Sequence, residues 1–168
     1  CPGRPHRRLS CPQAIVSVRA SGIGLAIARL LAEHGANIVI FARDQEKLSR
    51  AAEKISVRRV ADRQTVAWIP LDVADRFTVD QVLDASVNRH GIPDILINCA
   101  GRAYPRYFEE IGFAQLDETM QINFYGMWHV TRKLVPLMKA ESQPFEQKAI
   151  QPPFLALGIC RQVIQSLF

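Results

Sequence analysis

Short β-branched runs alternate with helical patterns along most of this chain, and that alternation restricts the fold more than any other feature. Ala14–Val18 is an apolar run of the kind that forms a buried parallel strand. Gly22 to His34 then places Leu25, Ile27, Leu30 and Leu31 at helical spacing, and Gly35 supplies the stop. The pattern repeats. Asn37–Ala42 (NIVIFA) reads as a strand and Asp44 to Ser56 as a charged helix capped by Asp44. Thr65–Leu71 is a third strand, which Pro70 confines to an end or an edge. Val79 to Arg89 is a further helix, and Asp94–Cys99 (DILINC) a fourth strand. The order predicts an α/β fold: a Rossmann-like, doubly wound parallel sheet with right-handed crossovers and helices on both faces.

Beyond these strands, Phe113 to Ala140 carries one long helical pattern containing Leu116, Met120, Phe124, Met127, Val130, Leu134 and Met138, which is expected to cover the sheet. From Glu141 the text turns irregular and proline-bearing, Leu155 to Phe168 is a short amphipathic stretch, and no fifth strand is predicted. Residues 1–13 hold three prolines and the basic residues Arg4, Arg7 and Arg8, and are expected to form a mobile tail. The expected organisation is therefore a basic tail over 1–13, a partial nucleotide-binding domain over 14–140 and a divergent tail over 141–168.

Composition narrows the function classes. At 168 residues, with 48% apolar and 22% charged residues, the chain is expected to form one ordinary core. The net charge of +5 is scattered over Arg4, Arg7, Arg8, Arg58 and Arg59 rather than drawn into a stripe. It favours phosphate-bearing molecules without pointing to nucleic acid, which is not an expected partner. Cys1, Cys11, Cys99 and Cys160 form no CxxC pair, and His6, His34, His90 and His129 show no ligand spacing, so no metal is expected. No run approaches the roughly 18 apolar residues of a membrane span. A soluble cytoplasmic protein is the expectation, and the start at Cys1 is that expected of a fragment.

The chemistry concentrates after each strand. Gly22, Ile23 and Gly24, in SGIG at a strand-to-helix junction, allow a ligand to approach a helix N-terminus, where unpaired N–H groups and the helix dipole favour a phosphate; close helix-to-strand packing would ask for the same glycines. Val18 stands where such a loop wants a turn glycine, and its side chain would resist a positive φ, so weakened binding is expected. Arg43 follows the second strand about 20 residues past the loop, where a side chain meets an adenosine ribose. With Lys47 one turn later it fits a 2′-phosphate and favours NADP(H) over NAD(H); the alternative is a solvated helix start. Asp72 either accepts from an adenine amino group or caps its turn. Tyr104, Tyr107 and Phe108 are expected to pack a loop over this site.

Gly22–Gly24 (GIG), Leu71–Val73 (LDV), Asn98–Gly101 (NCAG) and Asn123 in INFYG together resemble the short-chain dehydrogenase/reductase family. The stretch ILINCAGRAYPRYFEE and the pair Arg43 with Lys47 look like its 3-ketodihydrosphingosine reductase branch, NADPH-dependent enzymes that reduce a long-chain keto-sphingoid base. The resemblance spans about Ala14 to Ala140. It implies Ser21, Gly22, Ile23 and Gly24 at the pyrophosphate, Arg43 and Lys47 at the 2′-phosphate, and Asp72 and Val73 at adenine. Asn98, Ala100 and Gly101 would line the adenosine side, and Asn123 would hold a water in the proton relay, or else satisfy a neighbouring backbone group.

One part of the family pattern is missing. The resemblance calls for a serine after a fifth strand and a YxxxK pair that donates the proton. None of Tyr104, Tyr107 and Tyr125 has a lysine four residues later, and Ser142 and Ser166 lie in stretches unlike the family pattern. A hydride could be positioned while the developing alkoxide went unstabilised, which raises the barrier by several kcal/mol. The expectation is a truncated reductase that keeps its cofactor site without efficient catalysis, or a non-catalytic dinucleotide-binding or interaction module. A sheet stopped at four strands leaves apolar helix surface uncovered, so homo-oligomerisation is also expected.

Overall fold

The computed structural model describes residues 11–18 and 22–141. Four parallel strands form one sheet in the order β3-β2-β1-β4: β1 Gln13–Ser17, β2 Asn37–Ala42, β3 Val66–Pro70 and β4 Ile95–Asn98. The connecting helices are α1 Ile23–Glu33, α2 Gln45–Ser56 and α3 Arg76–His90. The alternation of patterns thus yields the predicted doubly wound sheet. β3 is an edge strand that ends on Pro70, as the missing N–H requires. The N-terminal boundary moves by one residue: Gln13 pairs with Asn37 and exchanges bonds with Asp94, so it belongs to β1 and not to a tail. Cys11 and Pro12 precede β1 and Glu141 ends the C-terminal helix, whereas residues 1–10 and 142–168 of the expected tails lie outside the described residues.

β1 sits in the middle and its side chains sort by parity. Ala14 and Val16 face a core shared with Ile38, Ile40 and the inner faces of α1 and α2. Ile15 faces a second core with Val39, Phe41 and Leu96, closed by Val79 and Leu83 of α3 and by Val130 and Leu134 of the C-terminal helix. A period of two, buried on both faces, explains the unbroken apolar runs.

Two helices turn a different face inward from the one their large residues mark. α1 buries Gly24, Ala28 and Ala32, while Leu30 stays 54% exposed. Small residues at this four-residue spacing let the helix lie close on the sheet. The long C-terminal helix consists of α4 Phe113–Met120, a π-helical turn Gln121–Gly126 and α5 Met127–Glu141. Its buried row is Ile122, Gly126, Val130 and Leu134. Leu116, Met120 and Phe124, expected to cover the sheet, are exposed instead. The reason is Gly126, where an added Cβ would stand 2.5 Å from Val73 Cγ2 and 3.1 Å from its Cβ. The helix approaches the loop after β3 on its glycine, and that approach fixes which row faces in.

Gln64 adds a bond set that no pattern announces. Fully buried, it donates from Nε2 to the carbonyls of Ala32 and Ala36 and accepts at Oε1 from the Val60 and Ala61 amides. It joins the end of α1 to the turn before β3.

Gly126→Ala is expected to destabilise the fold by about 1–3 kcal/mol through overpacking. Urea unfolding measures the loss, and a double-mutant cycle with Val73→Ala should show coupling between the two sites.

Candidate functional site

Parallel strands place their C-terminal ends along one edge of the sheet, so the segments after β1, β2, β3 and β4 converge there. The chain runs outward from β1 to β2 to β3 and then crosses to the other side of β1 for β4. A crevice opens at such a reversal, and ligands of open α/β sheets bind there. Gly22–Gly24 follows β1 and Asn98–Gly101 ends and follows β4, on the two sides of the reversal.

At the first side, Gly22 is the N-cap of α1 at φ +75°, with open space where a Cβ would stand. Among the described residues no side chain caps this helix and no acid lies in its first turn. Gly24 is close-packed: an added Cβ would lie 3.0 Å from Cys99 Cβ and 3.1 Å from Val18 Cγ1. Both glycine requirements named from the sequence are present, one at each residue. Ile23 points outward and is 77% exposed, and Ser21 lies outside the described residues. Val18 is buried, donates its amide to Phe41 O and does not have a positive φ. The expected clash between its side chain and its backbone does not arise.

The second side is held by a residue that no motif singled out. Ser17 Oγ accepts from the amides of Cys99 (3.0 Å) and Ala100 (3.2 Å) and donates to Ile97 O. The last side chain of β1 thereby holds the backbone that follows β4. A lone hydroxyl at the end of an apolar strand was its only sequence signal. Asn98 Nδ2 donates to Thr131 Oγ1, tying the end of β4 to α5. Burial pushes the Cys99 thiol above its ordinary range.

Asn123 lies in the π turn beside Gly101. Its Oδ1 accepts from the Arg102 amide at 2.7 Å and its Nδ2 donates to Arg102 O at 2.8 Å. Each half of the amide thus makes one bond to that backbone. Arg102 also bonds Glu118 at 2.6 Å and lies over the Tyr104 ring, while the Tyr104 hydroxyl donates to the other Glu118 oxygen. The Glu118 carboxylate holds the phenol above its ordinary range. Tyr107 and Phe108 do not pack over the site as expected; they are 74% and 89% exposed because nothing in the described chain covers this loop.

After β2, Arg43 Nη1 stands 3.8 Å from Asp72 Oδ2, and Asp72 Oδ1 accepts from the Ala74 amide. Asp72 therefore caps its own turn and faces Arg43 at once. Lys47 Nζ lies 2.7 Å from Asp44 Oδ2, on the first turn of α2. That hydrogen bond, with the Lys47 amide to Asp44 Oδ1, holds the Asp44 carboxyl below its usual range. Val73 is buried, with its carbonyl bonded to His129 Nδ1.

The turn at Gly22–Gly24, the cations Arg43 and Lys47 and the held backbone after β4 thus lie along one edge of the sheet. The short chain dehydrogenase family model matches residues 13–144. This chain belongs to the short-chain dehydrogenase family. A 3-dehydrosphinganine reductase of Danio rerio is 33% identical over 133 residues, which are 79% of this chain and 40% of that protein. An L-sorbose reductase from Gluconobacter frateurii, solved in complex with NADPH and L-sorbose, matches with a TM-score of 0.70 at 31% identity, over 79% of this chain and 49% of the other. An alcohol dehydrogenase from Thermococcus sibiricus, complexed with 5-hydroxy-NADP, gives 0.70 at 25% identity, over 77% and 54%. The chain thus spans half or less of the length of the reductase relatives. Among the described residues, no helix is long and apolar enough to cross a membrane and no cluster could hold a metal ion.

Ser17→Ala is expected to cost about 1–3 kcal/mol, because the Ala100 amide loses its acceptor. Urea unfolding and faster hydrogen exchange at the Ala100 amide are the readouts.

Proposed function

We propose that this chain is the nucleotide-binding part of an NADPH-dependent ketone reductase and that it binds NADP(H) at the reversal between β1 and β4. The observation that carries this reading is the placement of Arg43 and Lys47 beyond the end of β2, where a 2′-phosphate would need cations. The fit of the group rests on the glycine turn: Gly24 leaves no room for a side chain, and Gly22 opens the start of α1. The pyrophosphate would meet Ser21–Gly24, adenine would lie by Asp72 and Val73, and Asn98, Ala100 and Gly101 would line the adenosine side. When bound, the reduced cofactor supplies a hydride for a ketone. The residues of this chain bind and orient it, with Ser17 and Asn123 holding the loop that lines its pocket.

By likeness to the 3-dehydrosphinganine reductase of Danio rerio, the substrate class of the whole protein is a long-chain keto-sphingoid base or a similar ketone. Among the described residues no tyrosine is placed to donate the proton. Tyr104 bonds Glu118, Tyr107 stands in solvent, and Tyr125 lies against Phe124 and His129. This chain by itself therefore binds cofactor without efficient turnover.

A second reading, an interaction module, is favoured by the row Phe113, Leu116, Met120, Phe124 and Trp128, all between 42% and 86% exposed. Sedimentation is expected to show self-association; a monodisperse monomer would count against this reading.

Fluorescence titration is expected to show NADPH binding in preference to NADH, with Arg43→Ala weakening NADPH by about tenfold, or 1.4 kcal/mol. Equal affinity of Arg43→Ala and the natural chain for NADPH sinks the reading. Steady reduction of 3-ketosphinganine by this chain overturns the statement about turnover.

A further inference from the structure

We propose that Asp44 is a specificity-determining residue that holds down the preference of this site for a 2′-phosphate. The inference rests on the NADP(H) reading above and concerns the charges around its two cations. Each cation already has a carboxylate. Arg43 faces Asp72 across 3.8 Å, a separation too long for a hydrogen bond, whereas Lys47 is bonded to Asp44 at 2.7 Å. The four formal charges sum to zero where a dianionic group is to bind.

The two carboxylates are not equivalent. Asp72 meets Arg43 loosely, and a phosphate oxygen can take its place on the guanidinium. Both carboxylates are fixed by a backbone amide, Asp72 by that of Ala74, but Asp44 holds its cation more closely. Its Oδ1 caps α2 by accepting from the Lys47 amide, which fixes the carboxylate at the helix start while Oδ2 holds the ammonium. A 2′-phosphate, with a charge of about −1.5 to −2, must compete with Asp44 for Lys47 and remain beside its negative charge. A free 2′-hydroxyl meets no such repulsion, because it can donate to the carboxylate. The residue adjoining Arg43 therefore counteracts it, and the discrimination between the two nucleotides is narrower than Arg43 and Lys47 alone would produce.

Asp44→Asn separates the charge from the cap, since asparagine caps a helix as well as aspartate does. The probes are 2′,5′-ADP and 5′-ADP, measured by calorimetry at low salt, which report on the adenosine end without the nicotinamide. Asp44→Asn is expected to tighten 2′,5′-ADP by about three- to tenfold, with the gain shrinking as salt is raised, and to bring no gain for 5′-ADP, whose 2′-hydroxyl loses a charged acceptor. An unchanged urea midpoint shows that the cap has survived; Asp44→Ser serves as a second capping variant if it has not. No gain for 2′,5′-ADP, or an equal gain for both probes, overturns the role of Asp44. Arg43→Ala distinguishes the two levels. If it weakens 2′,5′-ADP while Asp44→Asn is silent, the inference fails alone; if it too leaves 2′,5′-ADP unchanged, the NADP(H) reading fails and the inference with it.

Discussion

The burial of β1 on both faces is the constraint from which the rest of the molecule follows. Ala14, Ile15 and Val16 are no more than 1% exposed, so each must be covered from its own side of the sheet. One side needs α1 and α2, the other α3 and α5. Helices on both faces in turn require crossovers, and crossovers make the strands parallel. Every strand then ends at the same edge, which is why residues as distant in sequence as Gly22, Arg43, Asp72 and Asn98 lie along one side of the sheet.

Much of this was legible in the residues. β2 was read with its observed bounds, Asp44 was recognised as a cap, and Pro70 ended an edge strand, because each depends on local chemistry that the sequence displays. The inward faces of α1 and the C-terminal helix were not legible. Periodicity finds a row of large apolar residues, but close approach to a sheet or loop selects small ones, and Ala28, Ala32 and Gly126 carry no hydrophobic signal. Ser17 and Gln64 escaped for a related reason. Their roles lie in bonds to partners 80 to 83 residues away for Ser17 and up to 32 for Gln64, and no spacing rule encodes those distances. Of the candidate site residues, Gly24 packs against Cys99 and Arg43 faces Asp72, whereas Tyr107 and Phe108 are exposed.

The arrangement also separates two tasks within one domain. Binding draws on backbone amides, glycines and surface charges at the ends of strands, all of which lie between Gly22 and Asn123. Proton donation to a ketone needs a group that the described residues do not place. The chain spans 40% of the Danio rerio reductase and 49% of the Gluconobacter frateurii one, and the nucleotide reading proposed above rests on residues within that span.

The hydroxyl of Ser17 has one further consequence. The turn at Gly22 continues from β1, and the backbone across the crevice hangs from a side chain of the same β1. Both segments therefore take their position from a single strand. A displacement of β1 carries with it both the segment leading to Gly22 and the backbone of Cys99 and Ala100.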